Sequence, residues 1–282
     1  MKNPPYFESH EQIPPELLLT GANIHHIVSS RRLPQYPGRD ALQALTVERQ
    51  NTTIHGKLGS GGSKEVFDIE IDGKHYALGI CGIQDASDAI LEKWRVVLQE
   101  PANTEYLRQR GFLVNELCDI KETDVNGTPF PGIIMRRYQD LPFRVFDSKN
   151  VGSEGISIIG KDTQLNDEIM LEILGQVIDE IVRLIQNGIQ LDKDNFNLAE
   201  WQGAIHLYLN DLGTMKVSEI PQNDFQRFIK HYTMWAINAF VNSVTNDTYS
   251  HNPYIQAMGK WNHPLEAKFE EVVTQKLTQS RS

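Results

Sequence analysis

The sequence predicts an α+β fold of two lobes, in which a small β-rich lobe precedes a mostly helical one. Short apolar runs bounded by turn dipeptides characterise residues 51–140, whereas long apolar stripes at helical spacing characterise residues 141–282. Residues 1–50 hold six prolines and predict an N-terminal extension, with one helix over Ala41–Arg49. The change of pattern near residue 140 predicts the boundary between the lobes.

The first lobe should begin with a β-hairpin and continue with helices. Strands over Glu65–Ile71 and Lys74–Ile80 flank Asp72-Gly73, a dipeptide that tolerates the positive φ of a tight turn. Apolar residues at helical spacing then predict a helix over Ala86–Leu98. Pro101 suits the first turn of a second helix, which is expected to end before the strands of the lobe resume.

Two more strands and a connector complete this half. Strands are expected over Phe112–Lys121 and Gly132–Tyr138, around the turn signal Asn126-Gly127. Residues 139–162 contain one proline and three glycines and predict the connector to the second lobe.

The second lobe should be built on buried helices. Apolar residues recur from Leu165 to Ile185 on one helical stripe, and Asn187-Gly188 provides a C-terminal stop. A polar loop is expected next, at residues 190–197. A hairpin that turns at a glycine follows at residues 203–209, and a second apolar helix at residues 228–244.

The composition excludes several classes of function. The formal charge is −10, from 37 acidic and 27 basic residues, which disfavours nucleic acid and anionic membranes as general partners. The two cysteines are too few for a disulfide scaffold, and we expect both to be reduced. No apolar run reaches the roughly 20 residues that span a bilayer, and no secretory signal is evident. These features predict a cytoplasmic protein without a membrane span.

A glycine-rich turn lies just ahead of the predicted hairpin. The stretch Gly59-Ser60-Gly61-Gly62-Ser63-Lys64 is followed by Val66. Successive backbone N–H groups in such a turn can cradle phosphates, and a lysine beside them adds a positive charge. Alone, this turn is equally compatible with a flexible linker.

Carboxylate and amide groups suited to phosphoryl transfer come later in the chain. Asp192 and Asn197 have D-x-x-x-x-N spacing directly after the long helix, and Asp211 ends an apolar strand before Leu212-Gly213. In this interpretation Asp192 orients the acceptor hydroxyl, while Asn197 and Asp211 bind Mg²⁺ or Mn²⁺ through hard oxygen atoms.

The order of these motifs from Gly59 to Gly213 resembles that of a protein kinase-like fold. The resemblance implies ATP as cofactor, held by residues 59–64 and Val66. The usual strand lysine is missing, with the vacancy expected at Gly79 or Cys81. Lys64 stands where "with no lysine" kinases carry their relocated lysine, so the resemblance implies Lys64 as the catalytic lysine. The same arrangement is similar to small bacterial effector kinases delivered into host cells.

The resemblance also implies a helix carboxylate that orients the lysine. We expect Glu105 in this role, with Glu100 and Glu92 as the alternatives. An activating partner would fit the absence of a long activation segment.

Several positions depart from the kinase pattern. Gln190-Leu191-Asp192 replaces H-R-D, no A-P-E follows Asp211, and Lys193 comes one residue after the aspartate instead of two. Four hypotheses for the function therefore stay open. The protein could be a protein kinase acting on host proteins, a small-molecule or lipid kinase with an acceptor pocket at Tyr249–Trp261, a pseudokinase scaffold, or an enzyme that transfers AMP or glutamate. The histidines lack metal-ligand spacing in the sequence, and surface or core roles are expected for them.

Overall fold

The computed structural model describes most of the chain from residue 45 onward. The described residues are 45–47, 52–60, 64–81, 89–115, 117–125, 128–146, 165–244, 253–258 and 264–280. The N-terminal extension up to residue 44, Gly61 to Ser63 and most of the expected connector lie outside them.

Twelve strands and five helices are found among the described residues. The strands are β1 Leu45–Val47, β2 Thr52–Ser60, β3 Lys64–Ile71, β4 Lys74–Cys81, β5 Leu113–Val114, β6 Leu117–Val125, β7 Thr128–Met135, β8 Arg144–Phe146, β9 Ile189–Gln190, β10 Phe196–Trp201, β11 Ala204–Leu209 and β12 Lys216–Val217. The helices are α1 Ala89–Arg108, α2 Asp167–Gln186, α3 Phe225–Val244, α4 Pro253–Met258 and α5 Pro264–Gln279.

A six-stranded antiparallel sheet forms the first part of the chain. Its order is β1-β6-β7-β4-β3-β2. The predicted hairpin is confirmed as β3 and β4, with Asp72 and Gly73 at positive φ in the turn. One face of β3 is apolar because side chains alternate across a strand. Its buried residues pack with those of β4 and β7: Phe67, Ile69, Ile71, Ala77, Leu78, Ile80, Ile133, Ile134 and Met135.

Two predictions for this region are wrong. The expected helix over Ala41–Arg49 is replaced by strand β1, whose partner β6 lies too far along the chain for a local pattern to reveal it. The expected pair of helices is one helix, α1, with Pro101 inside it. Proline removes a single i to i−4 hydrogen bond, and tertiary packing of buried residues such as Leu107 holds both halves in one helix.

The second part is mostly helical, as predicted. Helix α2 begins after Asn166, whose Oδ1 accepts a hydrogen bond from the N–H of Ile169 at 3.0 Å, and ends at the predicted Asn187-Gly188 stop. Its apolar stripe is buried, and its C-terminal end leads into the loop that carries Asp192. The predicted hairpin is confirmed as β10 and β11, which continue a four-stranded sheet of order β5-β11-β10-β8.

The described residues group into two compact units. The first comprises those up to Gly111, Asn115–Leu141 and the short 3₁₀ segment Leu212–Thr214. The second comprises Phe112–Val114, the described residues of 142–211, and those from Met215 onward. The β-rich first unit and mostly helical second unit confirm the predicted α+β class. Within the described part of the chain, no helix is long and apolar enough to cross a bilayer.

Candidate active site

The side chain of Lys64 is buried in an ion pair with a carboxylate of helix α1. Its Nζ lies 2.7 Å from Oε1 and 2.5 Å from Oε2 of Glu100. The two side chains are only 11% and 5% exposed. Burying two charges costs free energy that their attraction repays only with good geometry, so such a pair is a poor device for stability alone. A buried, paired lysine is therefore a candidate functional group.

Gly79 provides the room that the Lys64 side chain uses. On strand β4, Gly79 faces Val66 and Cys81 faces Lys64. A Cβ atom built on Gly79 would lie 3.4 Å from Cδ of Lys64 and 3.2 Å from Cε of Met135. Of the two positions expected for the missing strand lysine, Gly79 is the one that the Lys64 side chain passes over.

The carboxylate that meets Lys64 is Glu100 instead of the expected Glu105. Glu105 points to its own helix, where both of its oxygens accept hydrogen bonds from the guanidinium of Arg108 at 2.6 Å. Five residues along an α-helix turn about 140° around its axis, so the two carboxylates cannot share a face. Glu100 and Glu92 were the alternatives to Glu105 as the carboxylate that orients the lysine. The structure places Glu100 in that position, and the side chain of Glu92 lies outside the described residues.

The glycine-rich turn is described only at its two ends. Gly59 and Ser60 close strand β2, opposite Val66 and Glu65 of β3. Lys64 begins β3 and shares a strand face with Val66, because residues two apart point the same way. Gly61, Gly62 and Ser63 lie outside the described residues, so their expected role in phosphate binding stays a prediction.

Asn195 connects the loop of Asp192 to the segment of Asp211. Its Oδ1 accepts the backbone N–H of Asp192 at 2.6 Å. Its Nδ2 donates to the backbone oxygens of Asn210 and Asp211, at 3.1 and 2.7 Å. Asn195 is 2% exposed. One buried amide therefore holds together the backbones of two predicted site residues.

Asp211 has an unusual backbone conformation. Its φ is +53°, in the left-handed region that costs a non-glycine residue about 1–3 kcal/mol. The other described non-glycine residues with positive φ, Asp72 and Gln202, both sit in hairpin turns beside a glycine. Asp211 sits in no such turn, and a strained backbone of this kind is typical of a functional position.

The amide of Asn197 is oriented by a neighbouring asparagine. Its Nδ2 donates to Oδ1 of Asn210 at 2.8 Å. With the nitrogen committed to Asn210, the Oδ1 of Asn197 is the atom suited to bind a hard metal ion. Asn210 directly precedes Asp211, so the same loop pairing that brings Asn195 to Asp211 also positions Asn197.

Tyr232 of helix α3 braces the chain just before Asp192. Its fully buried hydroxyl donates to the backbone oxygen of Ile189 at 2.5 Å and accepts the N–H of Leu191 at 3.1 Å. Burial raises the pKa of Tyr232 well above its usual range. Asp192 adds to that shift, and the hydrogen bond from Leu191 opposes it. The phenol stays neutral and holds the loop in a chain that lacks the bracing histidine and arginine of H-R-D.

Helix α1 also holds the residues that follow Asp211. Nδ2 of Asn103 donates to the backbone oxygen of Leu212 at 2.7 Å. A Cβ atom on Gly213 would lie 2.2 Å from the backbone oxygen of Val96, so only glycine fits there. Asn103 lies one turn from Glu100, and one helix therefore positions both Lys64 and the segment Leu212–Thr214.

Comparisons with known proteins give one kind of similarity. The solved structures that match this chain are protein kinase domains. A double mutant of the PknI kinase domain from Mycobacterium tuberculosis has a TM-score of 0.41 and 15% identity, covering 80% of this chain and 95% of that chain. The PknI kinase domain itself has a TM-score of 0.40 and 15% identity, covering 82% and 97%. No protein-family model matches the sequence, and no curated protein sequence matches it.

Sequence reasoning missed three positioning residues of this site. Asn195 lies inside the D-x-x-x-x-N spacing, Tyr232 lies inside the helix predicted at residues 228–244, and Asn103 was not singled out. The absence of the H-R-D histidine and arginine was a usable signal for Tyr232, since some other buried polar group had to replace their hydrogen bonds.

Proposed function

We propose that this protein is an ATP-dependent phosphotransferase, an atypical kinase that uses Lys64 in place of the usual strand lysine. In this proposal Lys64, oriented by Glu100, binds the phosphates of ATP. Asn197 and Asp211 bind Mg²⁺ or Mn²⁺, and Asp192 accepts the proton of the acceptor hydroxyl.

The observation that carries the proposal is the buried pair of Lys64 and Glu100 over the vacancy at Gly79. A kinase that had lost its strand lysine without replacing it would have no reason to keep a desolvated carboxylate on the neighbouring helix. The left-handed backbone of Asp211, tied to Asn195, supports the assignment of the second group.

The residues present fit a metal ion and a nucleotide. Asn197 offers an amide oxygen, Asp211 a carboxylate, and both are hard ligands of the kind that Mg²⁺ prefers. When bound, the metal would neutralise charge on the phosphates. The protein's own residues orient the groups: Asn210 fixes Asn197, Asn195 fixes the backbones of Asp192 and Asp211, and Tyr232 fixes the chain ahead of Asp192.

The acceptor we favour is a protein, and a host protein if the chain acts as a bacterial effector. This part rests on the resemblance of the Gly59–Phe67 segment to effector kinases. The pocket that a small-molecule acceptor would need at Tyr249–Trp261 lies mostly outside the described residues and stays a prediction.

A transfer assay with matched lysine variants tests the proposal. The full chain is incubated with γ-labelled ATP, Mg²⁺ or Mn²⁺, and a cell lysate. The parent should label itself or lysate proteins, and Lys64→Ala should abolish labelling. Lys74→Ala changes an exposed residue at the start of β4 and should leave labelling intact. Labelling that survives Lys64→Ala but not Lys74→Ala would refute the relocated lysine.

Nucleotide binding separates a kinase from a scaffold. ATP with Mg²⁺ should raise the melting temperature of the parent, and Asp211→Ala should lose that stabilisation, a difference of about 1–3 kcal/mol at saturating ligand. Binding without transfer to any protein, lipid or small molecule would favour the pseudokinase scaffold. No binding at all would remove the nucleotide from the proposal.

A further inference from the structure

Three side chains with metal-binding atoms converge on the sheet of the first unit, outside the proposed kinase residues. They are His55 on β2, Glu70 on β3 and His75 on β4, and their ligand atoms all lie within 4.8 Å of one another. Glu70 and His75 are paired directly across the strands. His55 joins them because the register of β2 against β3 shifts between Ile54 and Gly56.

The distances suit a tetrahedral transition-metal ion. Nε2 of His55 lies 2.9 Å from Oε2 of Glu70, and Nε2 of His75 lies 3.8 Å from the same oxygen. In a tetrahedral site with bonds of about 2.0–2.1 Å, neighbouring ligand atoms are roughly 3.3 Å apart. Shifts of about half an ångström would bring these two distances to that spacing, and the ligand atoms of the two histidines already lie within 4.8 Å of each other.

A second carboxylate orients one of the histidines. Nδ1 of His75 lies 3.1 Å from Oδ1 of Asp68, which in turn is 3.5 Å from a guanidinium nitrogen of Arg137. When Nδ1 donates to Asp68, the lone pair of His75 is on Nε2, the atom that faces Glu70. Carboxylate–histidine–metal arrangements of this kind are typical of zinc sites.

The two imidazole rings lie side by side at this point of the sheet. Their centroids are 4.9 Å apart with an interplanar angle of 31°. Both rings are therefore close enough to bind one ion together with Glu70. We propose that His55, Glu70 and His75 bind a divalent transition-metal ion of the Zn²⁺ class, with Asp68 as the group that positions His75.

Such an ion would link strands β2, β3 and β4 to one another. It would lie near the end of the β3–β4 hairpin that is distant from the glycine-rich turn. Lys64 and Glu70 are six residues apart on β3, a separation of roughly 20 Å at the usual rise of a strand. This site goes beyond the proposed phosphoryl transfer, and its function would be to hold β2, β3 and β4 in register. The proposal differs from the expectation of surface or core roles for the histidines, which rested on their spacing in the sequence.

Titration with Co²⁺, whose visible absorption reports its coordination, tests the site. The full chain without an affinity tag is freed of metal with a chelator and titrated in excess Mg²⁺, which occupies oxygen-ligand sites but competes poorly for imidazole. The parent should bind one equivalent with the strong bands of four-coordinate Co²⁺, and Zn²⁺ should displace it. His55→Ala and His75→Ala should each weaken binding at least about tenfold, and Asp68→Asn by about 10–100-fold.

Two controls keep the outcome decisive. His231→Ala removes a histidine that stacks on Trp235 in the second unit and should leave Co²⁺ binding unchanged. Because His55 and His75 are partly exposed, their alanine variants should keep the far-ultraviolet circular dichroism of the metal-free parent. If the parent binds no Co²⁺ or Zn²⁺ saturably, or if the folded His55→Ala and His75→Ala variants bind as the parent does, the site is refuted.

Discussion

The two units hold their candidate reactive groups in different ways. In the first unit, Lys64 is held by a buried ion pair with Glu100. In the second unit, the backbones of Asp192 and Asp211 are held by neutral hydrogen bonds with Asn195, and Tyr232 bonds to Ile189 and Leu191 just ahead of Asp192. Breaking one buried ion pair strands a charge, whereas losing one neutral bond among several costs much less. One substitution at the Lys64 pair should therefore lower the free energy of unfolding more than one substitution among the hydrogen bonds of the second unit.

The largest effect should come from breaking the ion pair. Glu100→Leu leaves Lys64 buried without its carboxylate and should lower the free energy of unfolding by about 3–5 kcal/mol, measured by urea denaturation. The double variant Lys64→Met/Glu100→Leu should regain most of that loss, because an apolar pair replaces the charges. The matched control Glu105→Leu removes a more exposed pair with Arg108 and should cost less than about 1 kcal/mol. A double variant as unstable as Glu100→Leu would contradict this account.

A methyl group at Gly213 should have the next largest effect. The added carbon would collide with the backbone oxygen of Val96, which cannot move aside as a flexible side chain can. Gly213→Ala should cost stability at the upper end of the roughly 1–3 kcal/mol typical of overpacking. As control, Gly175→Ala in α2 has open space around the new carbon and should stabilise the protein by about 0.5–1 kcal/mol. Equal melting temperatures for the two variants would mean that α1 does not pack tightly on Gly213.

Tyr232→Phe should have a smaller effect on stability and a visible one on the loop. It leaves the backbone groups of Ile189 and Leu191 without the hydroxyl and should cost about 1–2 kcal/mol. The raised pKa means that the folded state binds the phenol proton more tightly than the unfolded state does. The contribution is therefore full below about pH 10 and is lost as the pH rises above that value.

Alkaline denaturation measures this prediction. The free energy of unfolding of the parent should fall more steeply above pH 10 than that of Tyr232→Phe. In the assay with labelled ATP, the proposed phosphoryl transfer should be slower for Tyr232→Phe than for the parent. Tyr254→Phe is the control for the transfer rate only, since its hydroxyl donates to Asp167 at the start of α2 and not to the loop, and burial raises its pKa as well. Identical transfer rates for the parent and Tyr232→Phe would show that the brace has no functional role.

The smallest effect on stability should come from Gly79→Ala. The new carbon meets Cε of Met135 and Cδ of Lys64, both on flexible side chains, so the cost should be about 1 kcal/mol, the low end for overpacking. The distance of 3.4 Å to Cδ of Lys64 is ordinary van der Waals contact, so Lys64 should keep its place and calorimetric titration with ATP and Mg²⁺ should give the affinity of the parent. A large loss of affinity in a folded Gly79→Ala variant would contradict this.

Local signals in the sequence were sufficient for much of the fold. The hairpin of β3 and β4 has its turn dipeptide, and α2 has its apolar stripe, its cap and its stop within one stretch of chain. Strand β1 could not be found this way, because β6 supplies its hydrogen bonds from a distant part of the sequence. The interruption expected at Pro101 failed because packing outweighed one lost hydrogen bond.

The site was less accessible to sequence reasoning than the fold. Motif order alone suggested Lys64, Asp192, Asn197 and Asp211, but the choice between Glu100 and Glu105 depends on helix rotation, which no motif specifies. The cluster of His55, Glu70 and His75 was invisible because it depends on strand register and on the irregularity beside Gly56. Residues that act through contacts between distant segments appear only when those segments are placed.

The three residues Leu212–Thr214 also affect how the protein can be made. They belong by their contacts to the first unit, although its preceding segment ends at Leu141. During synthesis on the ribosome, about half of the second unit must be made before Leu212 and Gly213 are available. Only then can Asn103 of α1 bond to the carbonyl of Leu212 and Val96 pack against Gly213. A fragment that stops at residue 141 should emerge with that part of α1 uncovered and should be bound by chaperones that the full-length chain escapes.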